Sequence, residues 1–193
     1  QQMAQQNTPV PPESVLTQQV LENLIATDNP GGFAPGGRMN WAADLNLPLM
    51  RDKRSAHVLF WVGDGAFDMR NQRTLRAFVS VLKAAGVDFA VLGLEERDSG
   101  DVARRLGDEA TFQALATRNI QTLAQYAFSC IVTCDPHSFH VLKNEYGALG
   151  GDYRVQHHST YMAELIEGGL LELKPDIGGR VTYHDPCYLG RYN

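Results

Sequence analysis

Cysteine is scarce in this chain: Cys130, Cys134 and Cys187 are the only three in 193 residues. Three thiols make no disulfide framework, so a reducing compartment is expected. Long apolar runs are missing as well. None approaches the ~18 residues of a membrane span, and the opening residues show no signal-peptide pattern. These absences give an expected cytoplasmic location with no membrane contact by this stretch of chain. Basic clusters are also lacking. Lys and Arg number 17 against 22 Asp and Glu, for a net charge of −5. The short groups Arg51 to Arg54 and Arg104-Arg105 do not make the stripe that a nucleic acid or an anionic membrane needs.

What is present alternates between two periodicities. Strand-like runs occupy 57–63, 88–92, 130–134, 153–157 and 181–183, and helical patterns lie between them. Near Arg70 to Ala85, Leu75, Phe78, Val79 and Leu82 recur at i, i+3, i+4 and i+7, and Gly86 ends the run. A short helix is expected from Asp101 to Leu106. A longer one from Asp108 to Tyr126 carries Phe112, Leu115, Ala116, Ile120 and Leu123 on one face. Further helices are expected near 137–146 and 160–167. Strands alternating with helices predict an α/β fold, a Rossmann-like three-layer parallel sheet with helices on both faces.

The ends read differently. Residues 1–56 look like a flexible Gln- and Pro-rich lead-in, a short helix from Ser14 to about Ala26, and a Gly/Pro linker. Residues 57–180 form the α/β module. Residues 181–193 break off within what reads as a strand and its loop, the start of a second module, so the chain reads as part of a longer protein.

Five polar residues stand where strand-like runs stop: Asp64 after the first, Asp98 and Ser99 after the second, Asp135 and Ser138 after the third. Ligands of open α/β sheets bind beyond the carboxyl ends of the strands, so these five form a candidate site. Asp64, Asp98 and Asp135 are expected to converge, with Ser99 and Ser138 at the rim. With His137, and with His157, His158 and His184 in the same strand-end layout, the carboxylates could bind a divalent cation through oxygen and imidazole. The competing reading is a scaffold with acids at loop tips, where acids are common. Alternating directions along a strand allow at most one of His157 and His158 into the crevice, and turn the Cys134 side chain away from it.

Two other site types fit poorly. Gly63 to Asp68 follows a strand and precedes a helix, as a dinucleotide loop does. Asp68, however, stands at the third glycine position, and Asp64 and Asp68 would repel a pyrophosphate. The Gly/Pro segment 28–37 is not flanked by the strand and helix that a phosphate loop requires. Cys187 lies three residues after His184, but on an extended loop that spacing alone does not make a nucleophile and its base.

The spacing of the five residues carries a resemblance. Thirty-three residues separate Asp64 from Asp98, 35 separate Ser99 from Asp135, and Asp135-Pro-His-Ser138 has the form X-x-x-X. This resembles the cysteine-rich (Cys-Cys-Gly) domain family of heterodisulfide reductase B and D subunits and glycolate oxidase iron–sulfur subunits. Support comes also from Phe60-Trp-Val-Gly63, Gly100-Asp101, Leu142 to Tyr146 and Val181 to Arg191. The resemblance implies that Asp64, Asp98, Ser99, Asp135 and Ser138 stand at five degenerate ligand positions. No thiolate remains at any of them, so this module is expected to hold no cluster. Cys187 corresponds to the opening cysteine of a second module whose other ligands are not in this sequence.

The Asp and Ser version is most similar to the branch of the family that serves dimethylglycine catabolism (component B). That implies a longer iron–sulfur oxidoreductase with [4Fe-4S] clusters elsewhere in its chain, on the cytoplasmic face of the inner membrane. It would pass electrons from a flavin dehydrogenase, through electron-transfer flavoprotein, toward quinone. The partners expected of this module are then the rest of its own chain and that flavin dehydrogenase or flavoprotein. The module alone is expected to be inactive.

Overall fold

The computed structural model describes residues 12–174 and 178–192. Residues 1–11, which hold most of the expected lead-in, lie outside the described residues. Eight α-helices are described, α1 Pro12–Thr27, α2 Met50–Lys53, α3 Met69–Ala84, α4 Asp101–Arg105, α5 Glu109–Leu123, α6 Pro136–Asn144, α7 His158–Glu167 and α8 Cys187–Gly190. The strands are β1 Ser55–Trp61, β2 Phe89–Ala90, β3 Ala127–Thr133 and β4 Val155–His157. They form one sheet of order β2-β1-β3-β4, with every pairing parallel.

Alternation along the central strands divides the core in two. From β1, Ala56, Leu59 and Trp61 join a cluster with Leu24 of α1, Phe112 and Leu115 of α5, and Leu142 of α6. Val58 and Phe60 point the other way, to Phe78, Val79 and Leu82 of α3 and to Tyr161 and Leu165 of α7. Opposite side-chain directions on successive residues put helices on both faces of the sheet. This is the α/β, Rossmann-like architecture that the alternating pattern predicts.

Two expectations differ from the structure. Residues 181–183 form no strand: they are extended and open, with Val181 97% and Tyr183 75% exposed. β-branched and aromatic content favours a pleated surface only where a neighbouring strand supplies one, and this segment lies off the sheet. The stretch from Thr27 to Ala56 is packed rather than a free linker. Arg38, Trp41 and Ala42 are buried on a 3-10 helix at Pro35–Ala42. Leu49 bridges Val91 in parallel, with Val91 N–H donating to the Pro48 carbonyl and Met50 N–H to that of Val91. The segment therefore covers the outer edge of β2.

Among the described residues no helix is long and apolar enough to cross a membrane. Leu24 is fully buried, so Leu24→Ala is expected to cost about 2–5 kcal/mol in urea denaturation. An unchanged midpoint would mean that α1 lies outside the cooperative core.

Candidate functional site

The strand order reverses at β1, whose chain crosses to β2 on one side while β3 lies on the other. A crevice opens beyond the carboxyl ends of strands at such a switch point, and the β1 and β3 loops meet there. After Trp61 the chain turns through Gly63 with φ 68°. A Cβ at Gly63 would come within 3.2 Å of Asp135 Oδ2 and 3.4 Å of Ser138 Oγ. Only glycine combines that backbone with so close an approach. Asp64 then rides on the 3-10 turn Gly63–Phe67.

Behind this turn lies an ion pair that was not foreseen from the sequence. Glu96 is 1% exposed and accepts from Val62 N–H at 2.9 Å and Gly63 N–H at 2.7 Å. Arg38 Nη1 approaches it at 3.3 Å, and Arg38 also donates to the Gly63 carbonyl at 3.1 Å. Arg38 Nη2 lies 3.9 Å from Asp64 Oδ1, and its guanidinium covers the Phe67 ring. Burial pushes the Glu96 carboxyl upward, opposed by Arg38 and the two amides. Gly/Pro context made Arg38 look like linker, and Glu96 looked like a loop acid. Its place just before Arg97-Asp98-Ser99 was the one available signal.

The second loop is held from below. Asn119 Nδ2 donates to the Asp98 carbonyl at 2.9 Å and to Tyr146 Oη at 3.1 Å, while Tyr146 O–H donates to the Ser99 carbonyl at 3.0 Å. Asp98, 6% exposed, accepts from Gly100 N–H at 2.6 Å and shares a carboxyl–carboxyl hydrogen bond with Asp64. Burial first, then the charge of Asp64, drives the Asp98 pKa well above the ordinary carboxyl value. Burial also raises Asp64, partly offset by the bond to Asp98 and by Arg38. Asp64 keeps 35% of its side chain accessible, facing a cavity rather than open surface. Adjacent buried acids favour a retained proton over two charges, and the upward shift is the greater at Asp98.

Asp135 caps α6. Its carboxylate accepts from His137 N–H at 3.0 Å, Ser138 N–H at 3.2 Å and Ser138 O–H at 2.6 Å. A carboxylate placed there satisfies first-turn amides and meets the positive end of the helix dipole. Asp68 caps α3 in the same way, through Arg70 and Asn71 N–H, so the helix that follows the Gly63–Asp68 turn has its first amides already met. The serines are not at a rim: Ser99 is 5% and Ser138 2% exposed. Ser138 is turned into the cap, because its hydroxyl is the donor that Asp135 needs.

A cavity of about 380 Å³ joins these loops, lined by Asp64, Asp98, Ser99, Asp101, Asp135 and His137, together with Val62, Leu75, Val102 and Cys134. The three loop aspartates therefore do meet. Cys134 lines the cavity, contrary to the expected opposite face, because β3 ends at Thr133 and strand alternation stops with it. Burial, then the charge of Asp135, pushes the Cys134 thiol up to about 12, so it is not a thiolate at neutral pH.

Of the four candidate histidines only His137 reaches the cavity wall. Its Nδ1 lies 2.9 Å from Asp101 Oδ2, and this bond raises its pKa. Asp101, another residue that sequence reasoning missed, is pushed up by burial but brought below the ordinary value by His137 and Tyr188. His157 is buried against Ser159 Oγ at 2.8 Å. His158 meets the Phe78 ring edge-on, and His184 is exposed. Cys187 is exposed at the start of α8, with Arg191 Nη1 2.9 Å from its sulfur.

Among the described residues no group of three or more His, Cys, Asp or Glu is arranged to hold a metal ion. Asp135 is engaged by its cap, Asp98 by Gly100 and Asp64, and His137 by Asp101. An iron–sulfur cluster does not fit the first module either. It needs thiolates, and the cavity offers carboxyls, hydroxyls and one protonated thiol.

Residues 58–143 match the family described as "Cysteine-rich domain". The chain is 73% identical over 180 residues to a probable membrane-anchored ferredoxin of Chromohalobacter salexigens, covering 91% of this chain and 27% of that protein. It is 39% identical over 184 residues to the probable iron-sulfur-binding oxidoreductase FadF of Bacillus subtilis, covering 91% of this chain and 26% of FadF. It is 37% identical over 183 residues to the EtfAB:quinone oxidoreductase of Syntrophomonas wolfei, covering 91% and 26%. The chain thus spans about a quarter of the length of these curated relatives. No solved structure matches it.

Two outcomes follow from the electrostatics. Asp98→Asn keeps the acceptor for Gly100 N–H and supplies a permanent donor toward Asp64. It is expected to hold or raise stability by on the order of 1 kcal/mol at pH 7, whereas Asp98→Ala leaves a buried amide unpaired and costs about 1–3 kcal/mol. Equal losses in both would show that the Asp98 charge is needed.

His157 is pushed down from 6.5 to about 4, by burial and then by His158. An imidazole whose folded pKa is depressed contributes stability above its unfolded value. That contribution is lost as pH falls from 6.5 toward 4. Denaturation midpoints should drop over this window in the native chain and drop less in His157→Gln; parallel profiles would remove His157 as the cause.

Proposed function

We propose that this chain is a cluster-free module of an iron–sulfur electron-transfer oxidoreductase, a non-redox scaffold beside the parts of the parent protein that carry clusters. The observation that carries the reading is the chemistry at Asp64, Asp98, Ser99, Asp135 and Ser138. These are hard-ligand residues, none of them a thiol; Asp98, Asp135 and Ser138 are bonded within the protein, while Asp64 Oδ1 is buried without a hydrogen-bond partner. Cys187 supplies one thiol, which as a cluster ligand belongs to a second module beginning near residue 181.

The names of the relatives support the wider setting. An EtfAB:quinone oxidoreductase supports electron-transfer flavoprotein as donor and quinone as acceptor. A probable membrane-anchored ferredoxin supports a parent held at the membrane; its placement on the cytoplasmic face rests on the family resemblance. Dimethylglycine demethylation as the upstream reaction rests on the resemblance of the substituted positions to that branch of the family. Within this setting Asp64, Asp98 and Asp135 shape a crevice and carry no electrons.

The second reading, a small-ligand or divalent-metal module, is favoured by one observation, the 380 Å³ acid-lined cavity. One experiment separates the two. The 193-residue chain, prepared anaerobically with iron and sulfide, is expected to be colourless and to give no heat on titration with Mg²⁺, Mn²⁺ or Zn²⁺. Stoichiometric iron and acid-labile sulfide with a visible band would overturn the cluster-free reading. Micromolar metal binding that disappears in both Asp64→Ala and Asp135→Ala would replace the scaffold with the metal site.

A further inference from the structure

The segment carrying Cys187 leaves the protein surface and then returns to it. Val181 and Tyr183 are 97% and 75% exposed, and residues 178–186 contain no regular structure. At Cys187 the chain re-forms as α8, only four residues long. A helix of one turn does not nucleate by itself in water, because one or two hydrogen bonds cannot offset the ordering of its backbone. Its existence therefore depends on what it touches.

Tyr188 makes the principal contacts. Its O–H lies 3.2 Å from Asp101 Oδ1 and 3.0 Å from Asp101 Oδ2. Its ring lies 3.9 Å, centroid to centroid, from the His137 imidazole and meets His140 edge-on at 5.6 Å. Tyr192 packs on both Tyr188 and His140, and Leu189 rests on the core cluster of α4, α5 and α6. Asp101 is also held by His137 Nδ1 at 2.9 Å and by Arg105 Nε at 3.1 Å, so the acceptor has partners other than Tyr188. Asp101 and His137 also line the acid cavity.

We infer that Tyr188 is a latch that seats the Cys187 segment on α4 and α6, with Asp101 as an anchor shared between the latch and the cavity wall. The latch sets where the Cys187 thiol stands relative to the carboxyl edge of the sheet, and Tyr188 is in this sense a positioning residue. The coupling is physical. Asp101 accepts Tyr188 O–H with the same carboxylate that orients His137, so a shift of the cavity wall moves the seat of α8. The inference does not depend on the ligand that Cys187 serves, and its test does not read metal or cluster content.

Amide hydrogen exchange of the 193-residue chain, followed at 187–192 and at β1 and β3, tests it. Tyr188→Phe keeps the ring on His137 and removes the donor. It is expected to speed exchange at Leu189, Gly190 and Arg191 by about five- to tenfold, leaving β1 and β3 and the melting temperature unchanged. Tyr188→Ala should release the segment fully. Asp101→Ala should release it to at least the extent of Tyr188→Phe while the sheet stays protected. Unchanged exchange at 187–192 in Tyr188→Phe and Tyr188→Ala would overturn the latch. Release in the Tyr188 variants with none in Asp101→Ala would overturn the shared anchor.

Discussion

The carboxylate of Glu96 is the point on which the carboxyl edge of the sheet depends. It reaches Val62 and Gly63 N–H as β1 gives out, taking the place a neighbouring strand would otherwise fill. An ion so deeply buried is costly unless its lone pairs are met and a countercharge is near. Two amides and Arg38 meet those needs. The cation comes from the 3-10 helix at Pro35–Ala42, so the residues before β1 cannot be removed without leaving a buried acid unpaired. The same residues supply Met50 and Leu24 to the core and cover β2 at Leu49. The N-terminal stretch is thereby part of the module that forms the crevice.

Convergent carboxylates create repulsion, and three remedies exist: a cation, donors from the protein, or a retained proton. Two of them are in use. Asp135 is served by helix amides and a hydroxyl, as Asp68 and Asp108 are at their own helices. Burial raises the carboxyls of both Asp64 and Asp98, and Arg38 stands behind Asp64. A raised carboxyl favours a retained proton over a bare charge.

The layers of the fold were legible because β1 and the long helices carry strong periodicity, with Leu75, Phe78, Val79 and Leu82 on one face and Phe112, Leu115 and Ala116 on another. The meeting of Asp64, Asp98 and Asp135 was legible too, since parallel topology alone brings strand-end loops together. What escaped depends on partners distant in sequence. Arg38 becomes structural only because Glu96, 58 positions later, turns toward it. Asp101 and Tyr188 find each other across 87 positions. Val181 to Tyr183 had strand-like composition but pairs with no strand of the sheet, and composition does not say which segment joins an edge. Cys134 was assigned to the wrong face because one residue decides where β3 stops.

The loops at the crevice are fixed chiefly by groups other than the five strand-end residues, with Asp98 adding a bond to Gly100 N–H and Asp135 the cap of α6. Gly63 sets the first by its left-handed backbone and Glu96 by its grip on two amides. Asn119 and Tyr146 hold the second through the carbonyls of Asp98 and Ser99, and β3 continues directly into the α6 cap. The turns at 62–63 and 98–99 therefore depend mainly on groups other than the side chains at 64, 98, 99, 135 and 138. A fold built in this way can lose every soft ligand and keep the shape of its crevice. The replacements need only short side chains that find donors, and aspartate and serine at helix N-termini and tight turns do so at little cost. The persistence of a cavity at the switch point is thus no sign that it still serves the ligand for which such a crevice is shaped. The residues lining it decide that: here Asp98, Asp135 and His137 are bonded within the protein, while Asp64 Oδ1 has no hydrogen-bond partner.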